Sequence, residues 1–117
     1  MFEKNLNISL LLDFYGDILS ERQKEALDLY YNDDLSLAEI AENYNISRQG
    51  VRSILKKGEN ILIEMEEKLH LAERFSSVQE KSTQIASELE KIIMSIDNEG
   101  ISSRLASLIE KIKELAY

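Results

Sequence analysis

The sequence predicts an all-α fold, a helix-turn-helix bundle followed by long C-terminal amphipathic helices. Three observations carry that expectation. The 117 residues include no proline and only four glycines, so little in the chain interrupts a helix. Apolar residues recur three and four apart along almost its whole length, the spacing of one helical face. Ser20 with Gln23 and Ser36 with Glu39 are capping boxes, in which each side chain satisfies a backbone N–H left unpaired by a starting helix.

Residues 5–19, NLNISLLLDFYGDIL, place Ile8, Leu11, Leu12, Tyr15, Ile18 and Leu19 on one face of a first helix. Gly16 inside it costs about 1 kcal/mol relative to Ala. Either a close crossing by another helix requires it, or the helix is slightly weak there. The second helix, ERQKEALDLYY, turns Ala26, Leu27, Tyr30 and Tyr31 toward the core and stops at the turn-forming Asn32-Asp33-Asp34.

Next comes LAEIAENYNISRQGVRSILKK, Leu37 to Lys57, which reads as a helix-turn-helix. Ser36 caps its first helix, and Leu37, Ile40 and Ala41 form the apolar face. Tyr44-Asn45-Ile46 is the turn, because Asn tolerates a left-handed backbone better than other non-glycine residues. Ser47 caps the second helix, from which Val51, Ile54 and Leu55 face inward. Ile40, Tyr44, Ile46, Val51 and Ile54 are expected to interlock, with Ala41 small where the second helix passes. Ser47, Arg48, Gln49, Arg52, Ser53, Lys56 and Lys57 are left as the candidate DNA-contacting residues. The N-terminal part of such a helix enters the major groove, where Arg pairs with guanine and Gln with adenine by two hydrogen bonds each.

Beyond Gly58, a possible bend or close-contact point, Ile61, Leu62, Met65, Leu69 and Ala72 continue the stripe, so the second helix runs on as one long helix. Ser76-Ser77 reads as a break. Val78, Ile85, Leu89, Ile92, Ile93 and Ile96 belong to another amphipathic helix, which Asp97-Asn98-Glu99-Gly100 ends. Ile101, Leu105, Leu108, Ile109, Ile112 and Leu115 form the last, capped by Ser102 or Ser103. These narrow stripes approach a coiled-coil pattern and call for a partner face. The expected organisation is a helix-turn-helix bundle over residues 1–58 and a helical extension over 59–117 that oligomerises, most simply as a dimer.

Charge narrows the function. The chain carries a net −8, yet residues 47–57 hold four cations and no acid, so the remainder sums to −12. An αα-hairpin without a DNA role could share the apolar pattern. Such a hairpin has no reason to gather its positive charge on one exposed face. Non-specific coating of nucleic acid is disfavoured, since that binding comes from neutralising phosphates.

Enzymatic chemistry has little to stand on. There is no cysteine, the single His70 has no second histidine, and the glycines stand apart rather than in a phosphate-binding loop. No cofactor or metal is expected. Leu10-Leu11-Leu12 is too short for a signal peptide and no run is long enough to span a membrane, so a cytoplasmic protein is expected.

The stretch LSERQKEALDLYYNDDLSLAEIAENYNISRQGVRSILKKGE resembles region four of bacterial sigma factors. With the preceding DFYGDIL in a chain of this size, it more closely resembles the YlxM-like family. The resemblance covers about residues 5–75, and SRQGVR is its most specific part. It implies an all-helical, wingless helix-turn-helix in which Arg48, Gln49 and Arg52 stand at the exposed recognition positions. It also implies a DNA-binding regulator linked to the signal recognition particle pathway and its components. The alternative is a non-enzymatic protein or ribonucleoprotein adaptor of the secretion machinery, which would bury the same residues against protein or RNA.

Overall fold

The computed structural model describes residues 6–115, and these form helices joined by short connections. In chain order the helices are α1 (Leu6–Tyr15), α2 (Glu21–Tyr31), α3 (Leu37–Tyr44), α4 (Arg48–Leu69), α5 (Leu71–Ser95) and α6 (Glu99–Glu114), with a single 3-10 turn at Gly16–Ile18. The fold is all-α, as expected. Two compact units divide between Ala72 and Glu73. The expected division near residue 58 falls inside α4, which passes that point without interruption.

In the first unit α4 is the central element and packs against α1, α2 and α3. Its inward residues Val51, Leu55 and Leu62 are fully buried, together with Leu27 of α2 and Ile40 of α3. Ile8, Leu11, Leu12 and Tyr15 of α1 complete the core. Gly58 is the crossing point of α2 and α4. A Cβ there would lie 2.8 Å from Leu27 Cδ1, so only glycine fits with Leu27 in place. The close contact expected at Gly58 is present.

Both capping boxes form. Ser20 N–H donates to Gln23 Oε1 and Gln23 N–H to Ser20 Oγ, each at 3.1 Å. Ser36 N–H donates to Glu39 Oε1 at 3.0 Å and Glu39 N–H to Ser36 Oγ at 3.1 Å. These bonds favour the ionised form and hold the Glu39 carboxyl below its ordinary value.

Three boundaries differ from expectation. The first helix stops at Tyr15 instead of reaching residue 19, and the 3-10 turn leaves Ile18 53% exposed while Leu19 returns to the core. Gly16 is buried there, 3.3 Å from the Lys24 stem of α2 as measured from its ideal Cβ. Ser76-Ser77 does not break the chain, because α5 runs through it. The interruption is at His70, which adopts a left-handed φ of 56°. The last helix is capped by Asn98, whose Oδ1 accepts from Ile101 N–H at 3.1 Å, and not by Ser102 or Ser103. An Asn side chain needs no help from the serines once it reaches that N–H first.

In the second unit α5 continues and α6 follows a three-residue connection. Ser82, Ala86 and Ile109 are its buried residues among those described, and Lys113 pairs with Glu90 at 3.7 Å.

Candidate nucleic-acid interface

The site is built by the turn between α3 and α4. Asn45 adopts the left-handed conformation, with φ 54° and ψ 47°. Its N–H and that of Ile46 close back on α3, Ile46 N–H donating to the Ala41 carbonyl at 3.0 Å. That pair of bonds ends α3 in the manner of a Schellman motif and redirects the chain. Ser47 then starts α4, its Oγ accepting from Gly50 N–H at 3.0 Å. Gly50 keeps its place in the first turn; a Cβ there would sit 3.3 Å from this capping oxygen and 3.4 Å from Ile46 Cδ1.

The expected interlock is present in graded form. Ile40 and Val51 are completely buried, and Tyr44, Ile46 and Ile54 are half-buried around them. Tyr44 also ties α3 to α2. Its hydroxyl donates to Glu25, and the Arg22 guanidinium lies 4.4 Å from its ring centroid. Burial, with the Glu25 carboxylate beside it, pushes the Tyr44 phenol up to about 12.

All seven sequence-selected residues, Ser47, Arg48, Gln49, Arg52, Ser53, Lys56 and Lys57, are exposed. Ser47 is the N-cap; at 100° per residue the other six occupy one half of the circumference of α4, while Val51, Leu55 and Gly58 lie on the other. Among the described residues, Arg48, Arg52, Lys56 and Lys57 form no ion pair within 4 Å. Their charge is therefore left to act on whatever approaches. Gln49, Arg52, Ser53, Lys56 and Lys57 line one shallow groove. Arg48 and Arg52 also border a second, shared with Tyr30 and the start of α3 from Ser36 to Ala38.

Three residues of the first groove escaped the sequence reading: Glu59, Asn60 and Ile63. The signal was available, since Gln49, Lys56 and Ile63 are spaced by sevens, as are Ser53 and Asn60. Glu59 differs from its neighbours. Its Oε1 accepts from the Tyr31 hydroxyl at 2.9 Å, and its Oε2 is buried with no hydrogen-bond partner among the described residues. Burial pushes the Glu59 carboxyl up, while the Tyr31 bond and the nearby Lys56 charge pull it down. Tyr31 is itself driven well above the ordinary phenol value, by burial first and by Glu59 second.

Among the described residues no group of three or more His, Cys, Asp or Glu could hold a metal ion. No described helix is long and apolar enough to cross a membrane.

Two helices locked at a left-handed turn, the second presenting an unpaired basic face, define a helix-turn-helix protein. Residues 2–99 match the family described as "Putative helix-turn-helix protein, YlxM / p13 like", and the chain belongs to that family. It is 44% identical over 115 residues to the UPF0122 protein of Acetivibrio thermocellus, covering 96% of this chain and 98% of that one. Against the UPF0122 protein of Clostridium kluyveri the identity is 40% over 111 residues, covering 95% and 93%. The UPF0122 protein BH2485 of Halalkalibacterium halodurans is 39% identical over 115 residues, covering 98% and 99%.

Proposed function

We propose that this protein is a DNA-binding regulator that reads sequence with the N-terminal half of α4. The observation that supports it best is the concentration of unpaired cations on one exposed helix face of a chain whose net charge is −8. Arg48, Gln49 and Arg52 sit where side chains reach base edges, and Ser53, Lys56 and Lys57 follow toward the flanking phosphates. Acidic surroundings make any other docking orientation unfavourable, so the field itself orients the encounter.

A selection from random DNA duplexes tests this reading. An enriched sequence whose binding weakens steeply with salt is the expected result. Absence of any enriched sequence at low salt overturns it. The link to the signal recognition particle pathway comes with the family resemblance. A pull-down scoring DNA, RNA and protein from one sample separates a regulator, which recovers DNA, from an adaptor, which recovers pathway RNA or protein.

A further inference from the structure

We propose that the hairpin of α5 and α6 is one half of a four-helix bundle completed by a second copy of this chain. The proposal does not depend on DNA binding. It begins with two rows of large apolar side chains in the second unit: Val78, Ile85 and Ile92 on α5, and Ile101 and Leu108 on α6 with Leu115 at its C-cap. Each is spaced by sevens, and each residue remains 43–67% exposed.

The two rows share one face. The three-residue connection and the Glu90–Lys113 ion pair, 3.7 Å, mean that α6 folds back along α5. Within the second unit the buried residues among those described are the small Ser82 and Ala86 of α5 and the bulky Ile109 of α6, a combination that lets two helices approach closely. With Ser82 and Ala86 taken as the facing side, Val78, Ile85 and Ile92 lie about 80° to one side and Glu90 about 60° to the other. On α6, Ile109 separates Ile101, Leu108 and Leu115 from Lys113 in the same way. Because the helices are antiparallel, both apolar rows emerge opposite the ion pair and together form an open apolar floor.

A layer of two helices with so few buried side chains does not hold itself together, and a helix stripe must be covered by another element. The covering element has to be present whenever the chain is folded, which a second copy always is. Its detailed fit supports the same occupant. When α6 of the second copy is laid antiparallel on the open side of α5, one register pairs Ile92 with Leu105 and Leu89 with Leu108. That register also sets Ile85 against Ile112 and brings Lys111 opposite Glu88. The twofold axis repeats each pair. A seven-residue period in both helices is the spacing with which helices interdigitate in such bundles.

Sedimentation equilibrium of the full chain at micromolar concentration, with no DNA present, tests the proposal. The expected result is a dimer. Ile85→Lys and Leu108→Lys should be monomeric, with helicity by circular dichroism checking that the chain stays folded. If they lose helicity, Ile85→Ala and Leu108→Ala should still raise the dimer dissociation constant roughly tenfold or more. Met94→Lys is the control: Met94 is 87% exposed but lies outside both rows, so this variant should remain a dimer. Glu88→Lys and Lys111→Glu should each weaken the dimer, and the double reversal should restore it. A wild-type monomer overturns the proposal. So does Met94→Lys acting as strongly as Ile85→Lys, or a double reversal no tighter than the single changes. Because DNA is absent, failure here is distinct from failure of the DNA-binding reading.

Discussion

The Tyr15 hydroxyl donates a 2.7 Å hydrogen bond to Oε1 of Glu66, fifty-one residues away in sequence. The same hydroxyl oxygen accepts from Leu71 N–H at 3.1 Å, and the same Glu66 oxygen accepts from Ala72 N–H at 3.0 Å. Side chains of α1 and α4 thus satisfy the first two N–H groups of α5, a task usually left to a local capping residue. This arrangement stands at the left-handed His70 and explains why α4 and α5 are two helices.

Tyr15→Phe should therefore lower the urea midpoint of unfolding without changing its slope. The loss should exceed that of Tyr44→Phe, because Tyr15 is 2% exposed and its removal leaves Leu71 N–H unpaired, whereas the Tyr44–Glu25 bond is exposed. Equal effects of the two substitutions would contradict the capping role. Burial and Glu66 both push the Tyr15 phenol up, so it stays a donor at neutral pH.

Gly58→Ala should destabilise the fold although it improves helix propensity. The propensity gain is about 1 kcal/mol, and overpacking against the fully buried Leu27 costs about 1–3 kcal/mol. A net loss of about 1 kcal/mol is expected by chemical denaturation. Leu27→Ala opens space at the same contact, so Gly58→Ala should cost much less in that background.

Glu59 should make stability pH-dependent. Its carboxyl is raised in the folded state, so the fold binds that proton more tightly than the unfolded chain. The stabilisation is present below the ordinary carboxylate range and is lost as pH rises through the raised value. Denaturation of wild type and Glu59→Gln at pH 7 and pH 4 isolates it. Relative to the variant, wild type should gain stability on acidification, since the other carboxylates titrate in both proteins.

Arg52 and Lys57 should separate sequence preference from affinity. On the preferred DNA site Arg52→Ala should cost about 1–3 kcal/mol and relax the preference there. Lys57→Ala should weaken all sequences alike and reduce the slope of log affinity against log salt by about one per chain. Salt titrations on a selected and a scrambled duplex distinguish the two. Equal losses on both duplexes for Arg52→Ala would remove it from the reading positions.

The local devices of this fold were legible in the sequence. The Ser20–Gln23 and Ser36–Glu39 boxes, the left-handed Asn45, the Ser47 cap, the buried Ile40 and Val51 and the exposed cations of α4 all follow from residues within a turn or two of each other. Helical period and capping chemistry act over that range, so residue types suffice to place them. Other features depended on partners remote in the chain. Gly58 read only as a possible bend or contact until Leu27, thirty-one residues earlier, was found against it. The break at His70 gave no local sign, because Tyr15 and Glu66 cap the helix that follows it. Ser76-Ser77 carried a local sign of a break that the continuous α5 overrides. Glu59 was not singled out by its spacing, yet burial raises its proton affinity and the Tyr31 hydroxyl of α2 bonds it. For Gly58 and Glu59 the deciding term is steric contact or desolvation across helices, which sequence spacing does not encode and which arises only when α2 closes over α4.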